Sequence, residues 1–513
     1  MIHICATDDY GTPILVEAEK KRTTPEEFVA YWNQRDREDF NDLGISFDVF
    51  CRTSSNENKK LTQHFFKDLY KKGHIYRKMI RQPYCEDCQK FLPDRYVKGT
   101  CTFCGATEQY SDSCEECGRT FQPGEILNPH CAICGAKPRL RKSEHYFFRL
   151  TDFSNRLERW LTENVNLQSE VRNYVLNWVK EGLKDWDISR DLSWGIPIPL
   201  EEAKGKVLYV WFNNHLGYIS TAIKYFDKKG INGKEAWNSS KIYHFIGKDI
   251  VYHHYLFLPA MRMGEEEFKL PDFIPTRGYF TLEERKFSKS REWYISVREF
   301  LDKFPPDYLR YYLAGITPYS QADVNFDWKD FQNRINNELI AKIGNFIHRV
   351  LAFIWSNYSG RVPAARSFDE ADERLLRELR AVVDDVAQEI SSLELNKGLR
   401  RIIRFSASCN QYFQQKKPWA DQDEGKTTLY LCINILRSLA ILLEPYMPFS
   451  AQNLWEQLNL PGTVHKQKWS TAFELKIPTE HQIEKPQPLL RRVLDEEIGK
   501  EREKLQTINR VDR

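Results

Sequence analysis

Four C-x-x-C pairs lie between residues 85 and 134: Cys85/Cys88, Cys101/Cys104, Cys114/Cys117 and Cys131/Cys134. Each pair sets two thiolates on one tight turn at the separation that a tetrahedral Zn²⁺ needs, and two such turns close one site. Gly105, Gly118 and Gly135 follow the second cysteine of three of these pairs, where a knuckle turn calls for a permissive backbone. The other four cysteines (Cys5, Cys51, Cys409 and Cys432) are scattered singly, which is not the pattern of a disulfide framework. Two Zn²⁺ sites are therefore expected. Spacing alone leaves the pairing open. Sequential pairing joins Cys85/Cys88 to Cys101/Cys104, whereas nested pairing joins Cys85/Cys88 to Cys131/Cys134.

A chain of 513 residues is too long for one core and suggests about three domains. Lys and Arg number 75 against 72 Asp and Glu, a net +3, so any nucleic-acid contact has to be a local patch rather than a basic surface. A hydrophobic share of 41% with 13% aromatics supports packed cores and argues against disorder. Uncharged apolar runs fall short of the ~20 residues that span a bilayer. The start reaches Asp8 and Asp9 too soon for a signal peptide. The expectation is a cytoplasmic chain with no membrane segment and no DNA partner.

Three textures follow one another. Residues 1–82 alternate short apolar runs (Ile2–Cys5, Ile45–Cys51) with helical stretches (Glu26–Trp32, Leu61–Lys71), which reads as βαβ material. After the cysteine segment, strand-like Val207–Phe212 and Ile242–Ile246 resume that pattern. From about Asp327 the chain reads as helical, with apolar residues at 3–4 spacing in Leu375–Leu395, Leu399–Phe413 and Leu429–Leu443. A charged amphipathic helix is expected over Leu489–Leu505.

The run Cys5-Ala6-Thr7-Asp8-Asp9-Tyr10-Gly11-Thr12-Pro13-Ile14 resembles a strand-end signature of the methionyl-tRNA synthetases, class I enzymes on a Rossmann-like fold. The resemblance continues through Phe91–Tyr96, Glu144–Phe148, Asp185–Asp191, Phe245-Ile246-Gly247-Lys248-Asp249-Ile250 and Lys286-Phe287-Ser288-Lys289-Ser290, in the family's order and over essentially the whole chain. It implies an α/β fold: a Rossmann-like catalytic domain in two parts (1–82 and 206–275) separated by a connective insertion (83–205) with zinc knuckles at 84–140. A K-F-S-K-S loop and stem-contact region (276–326) and an all-α anticodon-binding bundle (327–513) complete it. Four-knuckle members of the family nest their pairs. The implied Zn²⁺ sites are thus Cys85/Cys88/Cys131/Cys134 and Cys101/Cys104/Cys114/Cys117.

The resemblance also assigns roles. Lys286, Lys289 and Arg291 supply positive charge where pyrophosphate leaves. Asp8 holds the ammonium of the amino acid by a charge-assisted hydrogen bond. Trp211, Asn214, His215, Tyr218, Ile250 and His254 line the amino-acid pocket. Asn345 and Arg349, at i and i+4 on one helix face, match with Trp419 the residues that read a CAU anticodon. An indole to stack on, with amide and guanidinium donors for base edges, suits splayed bases. Arg400, Arg401, Arg404, Lys416 and Lys417 add charge for phosphates.

Two features depart from the family. Its H-x-G-H signature precedes the strand that ends at Cys5 and does not occur in this sequence. Gly425-Lys426-Thr427 is no substitute, because the first glycine of a P-loop falls on Ala420. Further, the family's tryptophan-led strand W-F-D-A-P-I-G-Y reads here Trp211-Phe212-Asn213-Asn214-His215-Leu216-Gly217-Tyr218. An amide and an imidazole replace the small apolar Ala-Pro pair that lines the methionine thioether, and an unpaired buried polar group costs roughly 1–3 kcal/mol.

Together these imply a methionyl-tRNA synthetase paralogue that binds tRNA(Met) through its anticodon domain, with aminoacylation lost or strongly reduced. One alternative is an active methionine–tRNA ligase whose N-terminus lies upstream, for which ATP and Mg²⁺ are implied. A weaker one is a ligase-like enzyme for another small amino-acid-like substrate. A sheet without its first strand is expected either to close its flanking strands, with partial disorder around residues 1–15, or to take a strand from a protein partner.

Overall fold

The computed structural model describes all residues except 112–113, 115–120, 122–124, 289–291 and 512–513, together with the side chains of all described residues but 94, 422–424 and 508–511. The chain divides into two compact units, Met1–Glu38 with Ser46–Thr276, and Asp39–Ile45 with Arg277–Arg513.

In the first unit, strand β1 (Ile4–Thr7) pairs in parallel with β2 (Val49–Arg52), Ile4 opposite Val49 and Thr7 opposite Arg52. Helices α1 (Thr12–Lys20) and α2 (Pro25–Asp42) lie between them in sequence, as a parallel pair requires. Helix α3 (Asn56–Lys71) starts where the Ser55 side chain accepts a hydrogen bond from the Asn58 amide, and it buries Phe65, Phe66 and Leu69 completely. These residues join Phe212, Leu216, Tyr255 and Phe257 in one core. Strand β3 (Ile75–Cys85) and its antiparallel partner β4 (Arg139–Phe148) run in register from Ile75 opposite Phe148 to Tyr84 opposite Arg139. The cysteine segment is carried at the far end of this ribbon, as Cys85 is the last residue of β3.

Two expected strands are corrected. Only Val207–Leu208 is extended; helix α4 (Val210–Asp227) begins at once, so Trp211 to Tyr218 lie on a helix and not a strand. The buried Phe212, Leu216 and Ile219 recur at helical spacing, a period the short apolar run hid. Of Ile242–Ile246, only β5 (Ile246–Gly247) begins within the run, preceded by a single bridge from Tyr243 to Phe273. The expected closure of flanking strands also does not occur. Among the described residues β1 pairs with β2 alone, while the Ile246 amide donates to the Pro275 carbonyl at 2.9 Å. Residues 4–7 are a strand and 12–20 a helix. After β5 the chain winds through a π-helical turn, His253–Phe257, into α5 (Leu258–Glu265).

The second unit is chiefly helical. A hairpin (Phe280–Leu282 with Arg285–Lys286) and the strand Val324–Phe326 form its small sheet. A π-helical stretch, Arg334–Gly344, runs into α6 (Asn345–Tyr358). Helix α7 (Glu370–Ser391) opens on a capping box between Asp369 and Asp372 and buries Leu375, Leu379, Val382, Val383 and Val386 at 3–4 spacing. Helices α8 (Leu395–Lys416) and α9 (Gln422–Leu443) complete that core. Trp328–Tyr358 and Gly425–Leu443 are long and apolar enough to cross a membrane by length and composition, with 39% and 89% of their apolar windows buried in the protein. The last helix, α10, spans Asp495–Val511 rather than Leu489–Leu505. The Val493 amide and carbonyl are tied to the Asn336 side chain, which keeps that stretch non-helical, and Asp495, Glu496 and Glu497 favour a helix start immediately after it.

Candidate functional sites

The knuckle turns converge in the nested way. Cys85, Cys88, Cys131 and Cys134 offer four sulfurs within 4.8 Å of one another, with Cys85 to Cys134 at 3.4 Å and Cys88 to Cys131 at 3.9 Å. Cys101, Cys104 and Cys114 form a second group, with Cys104 to Cys114 at 3.6 Å. Cys117, the expected fourth ligand, lies outside the described residues. Zn–S bonds of about 2.3 Å in a tetrahedron place sulfurs about 3.8 Å apart, close to the separations in the four-cysteine group, whose donor set suits Zn²⁺. The left-handed backbone of Gly105 and Gly135, φ +76 at both, is what the turns demand of these glycines.

The residues expected around the amino acid do come together. Asp8 lies just past the end of β1, where ligands of open α/β sheets bind. Protein packed around its carboxylate raises its pKa to about 6, against a hydrogen bond from Asn214 that lowers it; solvent at its exposed outer surface relieves part of that push. Neighbouring Asp9 is buried, accepts from Thr7 Oγ1 at 2.7 Å and pairs with Arg52 at 3.0 Å, while Trp194 Nε1 donates to its carbonyl at 2.7 Å. These contacts fix the backbone that presents Asp8.

Behind Asp8, α4 and the π-helical turn face each other. Trp211 stacks on His253 with ring centres 4.0 Å apart, and lies 5.6 Å from His215. His215 meets His254 edge-on at 4.9 Å, and Tyr218 packs on His244 at 4.6 Å. His254 Nδ1 faces the Ile250 carbonyl at 3.1 Å; a carbonyl only accepts, so Nδ1 donates and Nε2 accepts from the Tyr218 hydroxyl at 3.1 Å. Burial holds all four imidazoles neutral: it takes His253 to about 3 and His254 to about 4, and His215 and His244 well below the usual value. Both ring nitrogens of His215, both of His244, His253 Nδ1 and the Oδ1 atoms of Asn213 and Asn214 have no partner among the described residues.

Three members of this cluster were missed from sequence: His244, His253 and Arg262. Arg262 is 1% exposed, and its Nη1 donates to the Lys269 carbonyl at 2.9 Å. A single arginine inside Leu256-Phe257-Leu258-Pro259-Ala260-Met261-Arg262-Met263 was the available signal.

A second polar group lies beside β4. His145, fully buried, sits between Asp187 Oδ2 at 2.8 Å and Asp191 Oδ2 at 3.0 Å, and Lys206 and Ser143 also donate to Asp191. Burial alone would lower the His145 pKa, but the two carboxylates raise it. Burial alone would raise Asp191, but its three donors hold it at about 2.

In the second unit Lys286 ends the hairpin, exposed, with its ammonium 5.7 Å from the Tyr279 ring. Lys289 and Arg291 lie outside the described residues. Asn345 and Arg349 begin α6, immediately after the π-helical stretch, a feature that recurs at functional sites. The Arg349 guanidinium is 5.9 Å from the Trp419 ring and 4.9 Å from Phe413, and Nη2 donates to Gln414 at 2.9 Å. Asn345 Nδ2 donates to Asn410 at 3.4 Å. Trp419 is 45% exposed, so an indole, a guanidinium and an amide share one open face. Two of the expected phosphate-binding charges are otherwise engaged. Arg401 pairs with Asp385 and Glu389, and Lys416 with Asp369 and Asp372.

Residues 1–351 match the family described as tRNA synthetases class I (M), and residues 372–511 match the anticodon-binding domain of tRNA ligases. The methionine–tRNA ligase of Methanopyrus kandleri is 42% identical over 508 residues, covering 97% of this chain and 75% of that protein. The methionine–tRNA ligase of Pyrococcus abyssi is 41% identical over 519 residues, covering 97% and 71%. A Mycobacterium tuberculosis methionyl-tRNA synthetase solved with methionyl-adenylate shares the fold, with TM-score 0.78 at 24% identity over 96% of this chain and 92% of that one.

Proposed function

The chain belongs to the methionyl-tRNA synthetase family, a class I synthetase catalytic domain followed by a helical anticodon-binding domain, and from that premise we propose that it binds tRNA(Met) through Asn345, Arg349 and Trp419 while activating methionine poorly. The observation that carries the tRNA half is the exposed Trp419 beside the Arg349 guanidinium, a stacking platform with its cation in place. The methionine half rests on the pocket. A thioether offers only a weak acceptor and leaves the unpartnered nitrogens of His215 and the Oδ1 of Asn213 uncompensated. Two Zn²⁺ ions in the nested knuckles, Cys117 completing the second, hold the inserted segment together in this reading.

A second reading, an active methionine–tRNA ligase using ATP and Mg²⁺, is favoured by identity of about 40% to ligases over nearly the whole chain. Methionine-dependent ATP–pyrophosphate exchange separates the two. Slow exchange relative to the Methanopyrus kandleri enzyme is expected; exchange at a comparable rate overturns the first reading and establishes the second.

A further inference from the structure

The most unusual group in the first unit is the guanidinium of Arg262. Nη1 has the Lys269 carbonyl, but Nε and Nη2 have no partner among the described residues. The nearby acid, Glu265, adds counter-charge but makes no hydrogen bond to the fork: Oε2 accepts from the Glu267 amide at 2.9 Å, and Oε1, 3.5 Å from His64 Nε2, has no hydrogen-bond partner among the described residues. The Trp237 ring, 5.0 Å away, packs on the guanidinium. Nε–H and Nη2–H lie on one edge of the fork, the edge that receives both oxygens of a carboxylate in parallel hydrogen bonds. A buried, unpaired charge of this kind is strongly unfavourable. Burial pulls its pKa to about 9, so it stays protonated at neutral pH.

Arg262 belongs to the cluster behind Asp8. It lies eight residues, a little over two helical turns, beyond His254 on the same continuous helical stretch, and helical side chains lean toward the N-terminus. Its charge acts on His215, His244, His254 and Tyr218. The imidazoles around it are neutral and supply no counter-charge. Asp8 supplies an anion at the other end of the cluster, held by Asn214.

We propose that this cluster takes a small ligand with an acidic far end, a carboxylate distal to any amino-acid head group, which docks on the Nε–Nη2 edge of Arg262 with Tyr218, His244 and His254 beside it. The inference rests on reading the cluster as the amino-acid site, and it names the class of ligand. The carboxylate has two possible sources. An amino acid with an acidic side chain also places its ammonium on Asp8; a dicarboxylic acid without an amine uses Arg262 alone.

Calorimetric titration of the full chain with L-glutamate, L-aspartate, glutarate, L-glutamine and L-methionine tests this. Binding of at least one acidic ligand tenfold or more tighter than L-glutamine and L-methionine is expected, and Arg262→Met should erase that preference. L-glutamate or L-aspartate above glutarate assigns the ligand to the amino acids; the reverse assigns it to the dicarboxylic acids. Tightest binding of L-methionine overturns the carboxylate inference but leaves the amino-acid site standing. Binding of glutarate with no amino acid bound overturns the amino-acid site but keeps the carboxylate on Arg262. No binding by any of the five overturns both. The comparison is made on the unsubstituted chain, so a variant that fails to fold does not remove the result.

Discussion

Asp8 has to be ionised to hold an ammonium, yet the protein around it raises its pKa to about 6. A carboxyl whose folded pKa exceeds its unfolded value costs stability that builds as pH rises from the unfolded value and is complete above the folded one, a cost that bound cation offsets. Amino-acid binding should therefore weaken as pH falls through about 6, and Asp8→Asn should weaken binding and remove that inflection. Calorimetry at pH 5 and pH 7.5 checks both. Trp419 carries the other residue-scale prediction. Stacking of one base on an indole contributes about 1–3 kcal/mol, so Trp419→Ala should weaken tRNA binding by roughly tenfold or more in a filter-binding titration. Unchanged affinity removes Trp419 from the interface. The Asn345–Arg349 face was legible because i and i+4 spacing lies in the sequence itself. His244, His253 and Arg262 were not, because three separate stretches meet there only after α4 packs against the π-helical turn.

At the scale of elements, the knuckles and the β4 polar group each make a prediction. Four cysteine sulfurs converging on one point are the donor set of a structural zinc site, and metal binding at such sites is coupled to folding. Elemental analysis should find two zinc ions per chain, and X-ray absorption should show sulfur-only coordination. One zinc or none contradicts the stoichiometry. His145 between Asp187 and Asp191 gives a pH window. Its raised pKa means that its stabilisation is full below about 6.5 and is lost as pH rises through the folded value. That of Asp191 is present above its unfolded value and is lost as pH falls toward about 2. Hydrogen bonds to charged groups contribute about 1.5–3 kcal/mol, so His145→Leu should destabilise by that order in urea unfolding at pH 6, and by less at pH 8. The strand readings failed where runs were short. Val207–Phe212 is six residues long, too short for its period to separate a buried strand from the start of a helix. The α7 pattern spans 22 residues and left no such ambiguity.

Over the whole molecule, the fold was legible because motifs of one family recur in order from Cys5 to Trp419. What the sequence could not reveal was the polarity of the amino-acid cluster as a whole, since its members are individually ordinary core residues and only their convergence leaves so many ring nitrogens unpartnered. The proposed function divides the labour between the two units: a tRNA-reading face in the second and, in the first, an amino-acid site that we propose suits methionine poorly. The tRNA-reading claim is the central one, and one measurement reaches it directly. The full chain is titrated with a tRNA carrying a CAU anticodon and with the same tRNA altered only at those three bases, at one fixed salt concentration because phosphate contacts make affinity salt-dependent. The account predicts tighter binding of the CAU form by tenfold or more; equal affinity for the two tRNAs contradicts it.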